Sequence, residues 1–347
     1  MSFVASIINL VIIFIIFTFN SNAQENNDKY FTNDEGILSI MYHRFDEFKY
    51  PSTNISMEIF EKHVELIKNA GLSFYQPEKF IDEFDSPKSN KKILLTIDDA
   101  FQSFYDKAWP FLKNNKIPFI LFVSTKPVGN KGYMTWEQIK EIEKYEFVTI
   151  GHHSHSHEYL IDKTKKEFLS DMKTADKIFL NKLGYVPNLF SYPFGEYSKF
   201  MKDYISNKFT MAFGQHSGVI DLNKDKYELP RFPINEKYGD LKRFKSVINY
   251  APLEYLTILP EEKKINNQTN PPKLTIEFFK EQKNLKNITC YSNDGGNWSK
   301  PNLKIKQQTL TITFNEKFLP RRGRINCSLN DNGKWRWFGT QFTVDKN

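Results

Sequence analysis

Lys92-Ile-Leu-Leu-Thr-Ile-Asp98-Asp99-Ala100 is an apolar run of strand length that ends in two adjacent carboxylates. Similar runs stand at 37–42, 119–123, 147–150 and 188–191, and helical periodicities separate them. Ser56 caps a helix that carries Ile59, Phe60, His63, Val64 and Ile67 on one face and stops at Gly71. A second helix falls near 104–112, and Thr135 caps a third with Trp136, Ile139 and Ile142. A longer one spans 165–183 and ends at Gly184. Strands alternating with helices predict an α/β fold with a mostly parallel sheet or an α/β barrel. In such folds functional groups gather at the carboxyl ends of the strands, where Asp98 and Asp99 stand.

The pattern changes after about residue 250. Residues 256–273 are rich in Glu, Lys, Asn and Gln and read as a linker between a catalytic domain at 24–255 and a smaller domain at 274–347. The small domain alternates apolar and polar residues at period two, with turns at Asn293-Asp-Gly-Gly296 and Asn330-Asp-Asn-Gly333. This predicts an all-β, immunoglobulin-like sandwich. The chain's two cysteines, Cys290 and Cys327, both fall inside it, and a disulfide joining its two sheets is the expectation.

Residues 4–19 are almost entirely apolar and precede Ser21-Asn22-Ala23. This reads as a signal peptide at 1–23, or as an uncleaved anchor; either delivers the rest of the chain to the periplasm, cell envelope or exterior. A hydrophobic content of 40% over 347 residues excludes global disorder. The net charge of +7 comes mostly from lysine and suits a solvated face or association with a membrane or envelope surface. No basic arm, RNP-like motif or zinc finger accompanies it, so nucleic acid is not an indicated partner.

The second chemical element is Ile150-Gly-His152-His153-Ser-His155-Ser-His157, which holds four of the chain's seven histidines directly after a strand-like run. Imidazole is the commonest metal ligand, and a His-His-carboxylate set leaves coordination positions open for water and substrate. His153 and His157 are four apart, so one turn of helix would bring both to one face and send His152 and His155 elsewhere.

Thr96-Ile-Asp98-Asp99-Ala100, Gly151-His-His-Ser-His-Ser-His157 and Phe190-Ser-Tyr-Pro-Phe-Gly195 occur in an order that resembles the polysaccharide deacetylase family with the NodB homology domain (carbohydrate esterase family 4). Ile40-Met-Tyr-His43-Arg44 is similar to the opening of the poly-N-acetylglucosamine deacetylase branch. The resemblance spans about residues 36 to 250 and implies a distorted (β/α) barrel. It further implies Asp99, His153 and His157 as ligands of a divalent metal, usually zinc, and Asp98 as general base. The implied substrate is an N-acetylated amino-sugar polymer or glycan.

The family's late histidine acid has no counterpart here, because no histidine follows Arg231. The resembling branch implies His43 as the acid, with His216 as the rival. Tyr192, Pro193 and Phe194 correspond to the motif that supplies the oxyanion donor and groove, and Trp136 and Tyr133 are further groove candidates. Ser191 stands where many relatives carry an arginine that braces the base, and Arg231 is the candidate substitute. Ala100 replaces the usual glycine. The alternative reading is a catalytically silent carbohydrate-binding protein, and a third is a metallo-amidase acting on a small substrate.

Overall fold

The computed structural model describes residues 36–84, 92–221 and 225–345. The expected signal segment at 1–23 lies outside them. Eight strands form one sheet in which every ladder is parallel. Its order is Phe232–Pro233, Ile37–Tyr42, Lys92–Asp98, Phe119–Val123, Val148–His152, Leu189–Ser191, Met211–Phe213, with Ser73–Phe74 also pairing onto Lys92–Asp98. Among the described residues no ladder joins the end strands Met211–Phe213 and Phe232–Pro233. The sheet is a curled half-barrel, which fits the distorted (β/α) barrel that the resemblance implies, and an isolated bridge from Phe213 to Leu229 links its last strand to the segment leading into Phe232–Pro233.

The strands are apolar along their length because both faces are covered. Alternate residues such as Leu38, Ile40, Leu95, Ile97 and Leu121 pack under the helices Met57–Asn69, Trp136–Glu143 and Lys165–Leu183. The intervening residues Leu94, Ile120, Phe122 and Phe213 form a second core on the other face. Ser56 and Thr135 cap their helices as the sequence predicts, and Gly184 takes the left-handed conformation that ends Lys165–Leu183. His63 belongs to this packing: its ring stacks on Phe244 at 3.8 Å between ring centres. Gly239 O accepts from Nε2 at 2.8 Å, and Tyr42 Oη donates to Nδ1 at 2.9 Å.

The C-terminal part is rich in β-sheet, and its limits differ from the sequence reading. One sheet runs Ala251–Pro252, Lys334–Val344, Arg322–Asp331, Thr289–Ser292, with Lys264–Ile265 also paired to Lys334–Val344. The other runs Thr257–Leu259, Leu274–Glu277, Thr309–Thr313, Asn302–Lys306. Residues 256–273 are thus no free linker: Thr257–Leu259 and Lys264–Ile265 lie in the sheets. Strands of two and three residues are too short to show an alternating pattern, and the charged run Glu261-Glu-Lys-Lys264 separates them.

The disulfide differs too. Cys290 and Cys327 do bond, yet they are register partners on adjacent strands of one sheet, so the bridge does not span two sheets.

This β part is seated directly on the parallel sheet. A Cβ on Gly339 would lie 2.2 Å from Ser217 O, so only glycine permits the approach. Trp337 stacks on Tyr250 at 4.9 Å and donates from its indole to Ser217 Oγ at 3.0 Å. Buried Glu196 takes an ion pair from each of Arg321 and Arg322.

Candidate active site

Asp98 closes its strand, and the next two residues take positive φ, 76° for Asp99 and 53° for Ala100. Backbone bonds hold this turn: Asp99 N–H donates to Phe122 O at 3.0 Å, and Met134 N–H to Ala100 O at 2.9 Å. Left-handed backbone in non-glycine residues costs about 1–2 kcal/mol each and persists where surrounding structure over-determines it. The turn separates the two carboxylates. Asp98 points to Arg231, and Asp99 to the histidines.

His152 ends the Val148–His152 strand, which packs tightly on its neighbour: a Cβ on Gly151 would meet Phe122 at 2.3 Å. No helical turn follows. Ser154 and His157 take φ of 69° and 53°, and this irregular loop, not a helix face, brings His153 and His157 together. The Asp171 carboxylate accepts the N–H groups of His155 and Ser156 at 2.8 and 3.1 Å and fixes the loop. His152 and His155 face away: His152 Nδ1 accepts from Ser154 N–H at 3.0 Å, and His155 Nδ1 meets Thr125 Oγ1 at 2.8 Å.

His153 Nδ1 lies 2.7 Å from Ser191 O, and a carbonyl only accepts, so Nδ1 carries the proton. Its Nε2 then offers a lone pair, 3.4 Å from Asp99 Oδ1; His157 Nε2 is 3.0 Å from the same oxygen. The three atoms lie within 4.8 Å of one another. Asp99 Oδ1 and His153 Nε2 are buried with no well-formed hydrogen bond. Burial opposes charge on Asp99, yet the two imidazoles hold its carboxyl well below the usual range. One carboxylate and two imidazoles, with Asp99 and His153 buried and His157 half-buried, gather about one point and fit a divalent cation with open positions. The carbonyl behind His153 is the kind of partner that orients a metal-ligating ring.

Asp98 and Arg231 are both fully buried. Arg231 Nη1 donates to Asp98 Oδ1 at 2.7 Å and Nη2 to Oδ2 at 2.8 Å. Thr96 Oγ1, Ser191 Oγ and Gly214 O take the remaining donors, so all five N–H groups are engaged. Burial alone would raise the Asp98 pKa, but the charge and hydrogen bonds of Arg231, together with the pull of His153 and His43, outweigh it and the carboxyl stays below its ordinary value. Ser191 thus shares in the brace that Arg231 supplies.

A cavity of about 590 Å³ opens over these groups, lined by Asp99, His157, Phe194, His43 and His216 among others. Both acid candidates therefore reach it. His43 follows its strand directly, and its Nδ1 is buried without a partner. Burial lowers the His43 pKa, against the raising pull of Asp98 and Asp99.

The groove candidates divide. Phe194, at φ 60°, lines the cavity and packs on His157 at 4.8 Å. Tyr192 does not: it is fully buried among Phe190 and Tyr197, with its hydroxyl donating to Tyr227 O at 3.0 Å. Pro193 is buried, and Trp136 packs edge-on against Phe179 in the core. Tyr133 packs on Phe101 instead of lining the cavity. Inside an apolar strand, aromatic type alone does not separate core from groove.

Residues 85–212 match the family model for polysaccharide deacetylase. Over that stretch the chain is similar to the polysaccharide deacetylases. It is similar to the Bacillus subtilis protein YxkH, at 26% identity over 199 residues, 56% of this chain and 70% of that protein. It is also similar to the poly-beta-1,6-N-acetyl-D-glucosamine N-deacetylase of Staphylococcus aureus, at 21% identity over 268 residues, 67% of this chain and 92% of that protein. Among solved structures, IcaB from Ammonifex degensii superposes with a TM-score of 0.56 at 23% identity, covering 62% of this chain and 98% of that one. The Streptococcus pyogenes deacetylase PplD gives 0.55 at 19% identity, covering 61% and 98%. At these identities the likeness is one of fold. The sequence reading missed Asp171, whose role needs the loop geometry. It also missed the C-terminal residues Arg322, Arg324, Asn326 and Thr340, which line the same cavity.

Proposed function

We propose that this chain hydrolyses N-acetyl groups from an amino-sugar polysaccharide outside the cytoplasm, with a divalent cation, zinc by its donor set, held by Asp99, His153 and His157. The observation that carries the reading is a carboxylate braced by a buried arginine, directly beside a second carboxylate that faces two imidazoles. The cation, when bound, supplies Lewis acidity toward the acetyl carbonyl and lowers the pKa of water. Asp98, kept ionised and aimed by Arg231, takes the proton as the water oxygen attacks the acetyl carbon. The backbone N–H at Phe194 donates to the oxyanion. His43 gives a proton to the sugar nitrogen as the C–N bond breaks, leaving acetate and a free amine. The substrate class follows the substrate named for the Staphylococcus aureus relative. The C-terminal sheets form an immunoglobulin-like accessory domain in this reading.

The test is acetate release from N-acetylglucosamine oligomers before and after chelation. Chelated protein is expected to be inactive and restored by added metal; full turnover in chelator would overturn the metal assignment. Asp98→Asn should keep its metal and lose about a hundredfold or more in kcat, whereas His153→Ala should lose the metal itself.

A further inference from the structure

The far wall of the cavity belongs to the C-terminal sheets, and it is cationic. Arg322 and Arg324 of the Arg322–Asp331 strand line it, as does Arg243 of the helix Leu241–Val247. Arg322 is neutralised by Glu196, 2.7 Å from its Nε. The other two are not. Arg324 donates Nε to Gln341 Oε1 at 3.1 Å, and Arg243 donates Nη1 to Tyr238 O at 2.5 Å. Among the described residues neither guanidinium forms an ion pair with a carboxylate. Both are half-buried: burial lowers their pKa values, for Arg324 the neighbouring Arg322 lowers it further, and the more distant Asp240 and Glu196 pull the other way without outweighing burial. Asp99 is the single carboxylate lining the cavity, and it is committed to the histidines.

Desolvated, unpaired charge is costly, and a ligand of opposite sign offsets that cost. A guanidinium fork matches planar or tetrahedral oxyanions, and charge-assisted bonds of this kind discriminate strongly. Trp298 and Trp337 border the same space and offer apolar faces to sugar rings. We propose that the cavity selects an acidic glycan. The N-acetyl group lies toward Asp99 and His157, and an anionic substituent on a neighbouring sugar, a carboxylate or a phosphate, lies between Arg243 and Arg324. This deepens the deacetylase reading and rests on it.

The experiment compares kcat/KM on three oligosaccharides of equal length. One is neutral N-acetylglucosamine, one alternates it with a carboxylate-bearing sugar, and one with a phosphorylated sugar. The wild type is expected to favour at least one acidic oligomer by about tenfold or more, through KM. That ratio should collapse toward one in Arg243→Gln/Arg324→Gln, persist in part in Arg324→Lys, and shrink with rising ionic strength in the wild type. Which acidic oligomer is favoured identifies the anion. Equal kcat/KM on all three oligomers overturns the anionic subsite while leaving the deacetylase reading intact. If none is deacetylated, that reading falls, and calorimetric binding decides the subsite: tighter binding of an acidic oligomer, lost in the double variant, supports it, and equal binding overturns it. Should the double variant fail to fold, the ionic-strength response and Arg324→Lys still decide.

Discussion

Arg231 grips Asp98 through both terminal nitrogens, at 2.7 and 2.8 Å, across 133 positions of sequence. Neither group meets water. Arg231→Gln leaves a buried carboxylate without its cation, a change that costs about 3–5 kcal/mol. Urea unfolding at pH 7 should show that loss, and kcat should fall by about a hundredfold as Asp98 loses its aim. The Asp98 pKa is held down in the fold, so the pair's stabilisation is present above the unfolded carboxylate pKa, about 4, and disappears as pH falls through the folded value. A variant as stable and active as wild type would sink the bracing role.

His43 and His216 line one cavity, and leaving-group chemistry separates them. His43→Ala should lower acetate release from N-acetylglucosamine oligomers by about a hundredfold or more. Hydrolysis of an aryl acetate, whose phenolate leaves without a proton, should fall by much less. His216→Ala should not show this split. The reverse pattern would move the acid to His216.

His63 gives a pH dependence of stability that is independent of the site. Burial lowers its pKa from 6.5 to about 4, while its hydrogen bond to Gly239 opposes the shift. The unfolded chain therefore binds the proton first, and stability is lost as pH falls from about 6.5 toward 4. Between pH 7 and pH 5 this amounts to about 2 kcal/mol. His63→Gln should flatten that part of the profile; an unchanged slope in urea midpoints would refute the assignment.

Much of this was readable beforehand because strands and caps declare themselves locally. Lys92–Asp98, the capped helices and the turn at 330–333 follow from periodicity and turn chemistry. Asp99, His153 and His157 were legible as ordered motifs. Their meeting through left-handed residues was not, since positive φ is uncommon in any single non-glycine residue, even in Asp and His, which adopt it more often than most. Tyr192 was misread as groove because a core tyrosine and a sugar platform share one composition. The strands within 256–273 were hidden because two or three residues show no period, and the disulfide's place within one sheet depends on register, which spacing does not fix.

Gly339 lies against Ser217 with no room for a methyl group. The Asp99, His153 and His157 cluster is complete by position 157, and the Asp98–Arg231 brace by 231, yet the cavity wall reaches Thr340. During synthesis the amino-terminal half emerges first. On the proposed reading, a nascent chain displays the Asp99, His153 and His157 cluster as an open face long before it owns a cleft, and any selectivity among glycans is acquired only when the last strand docks.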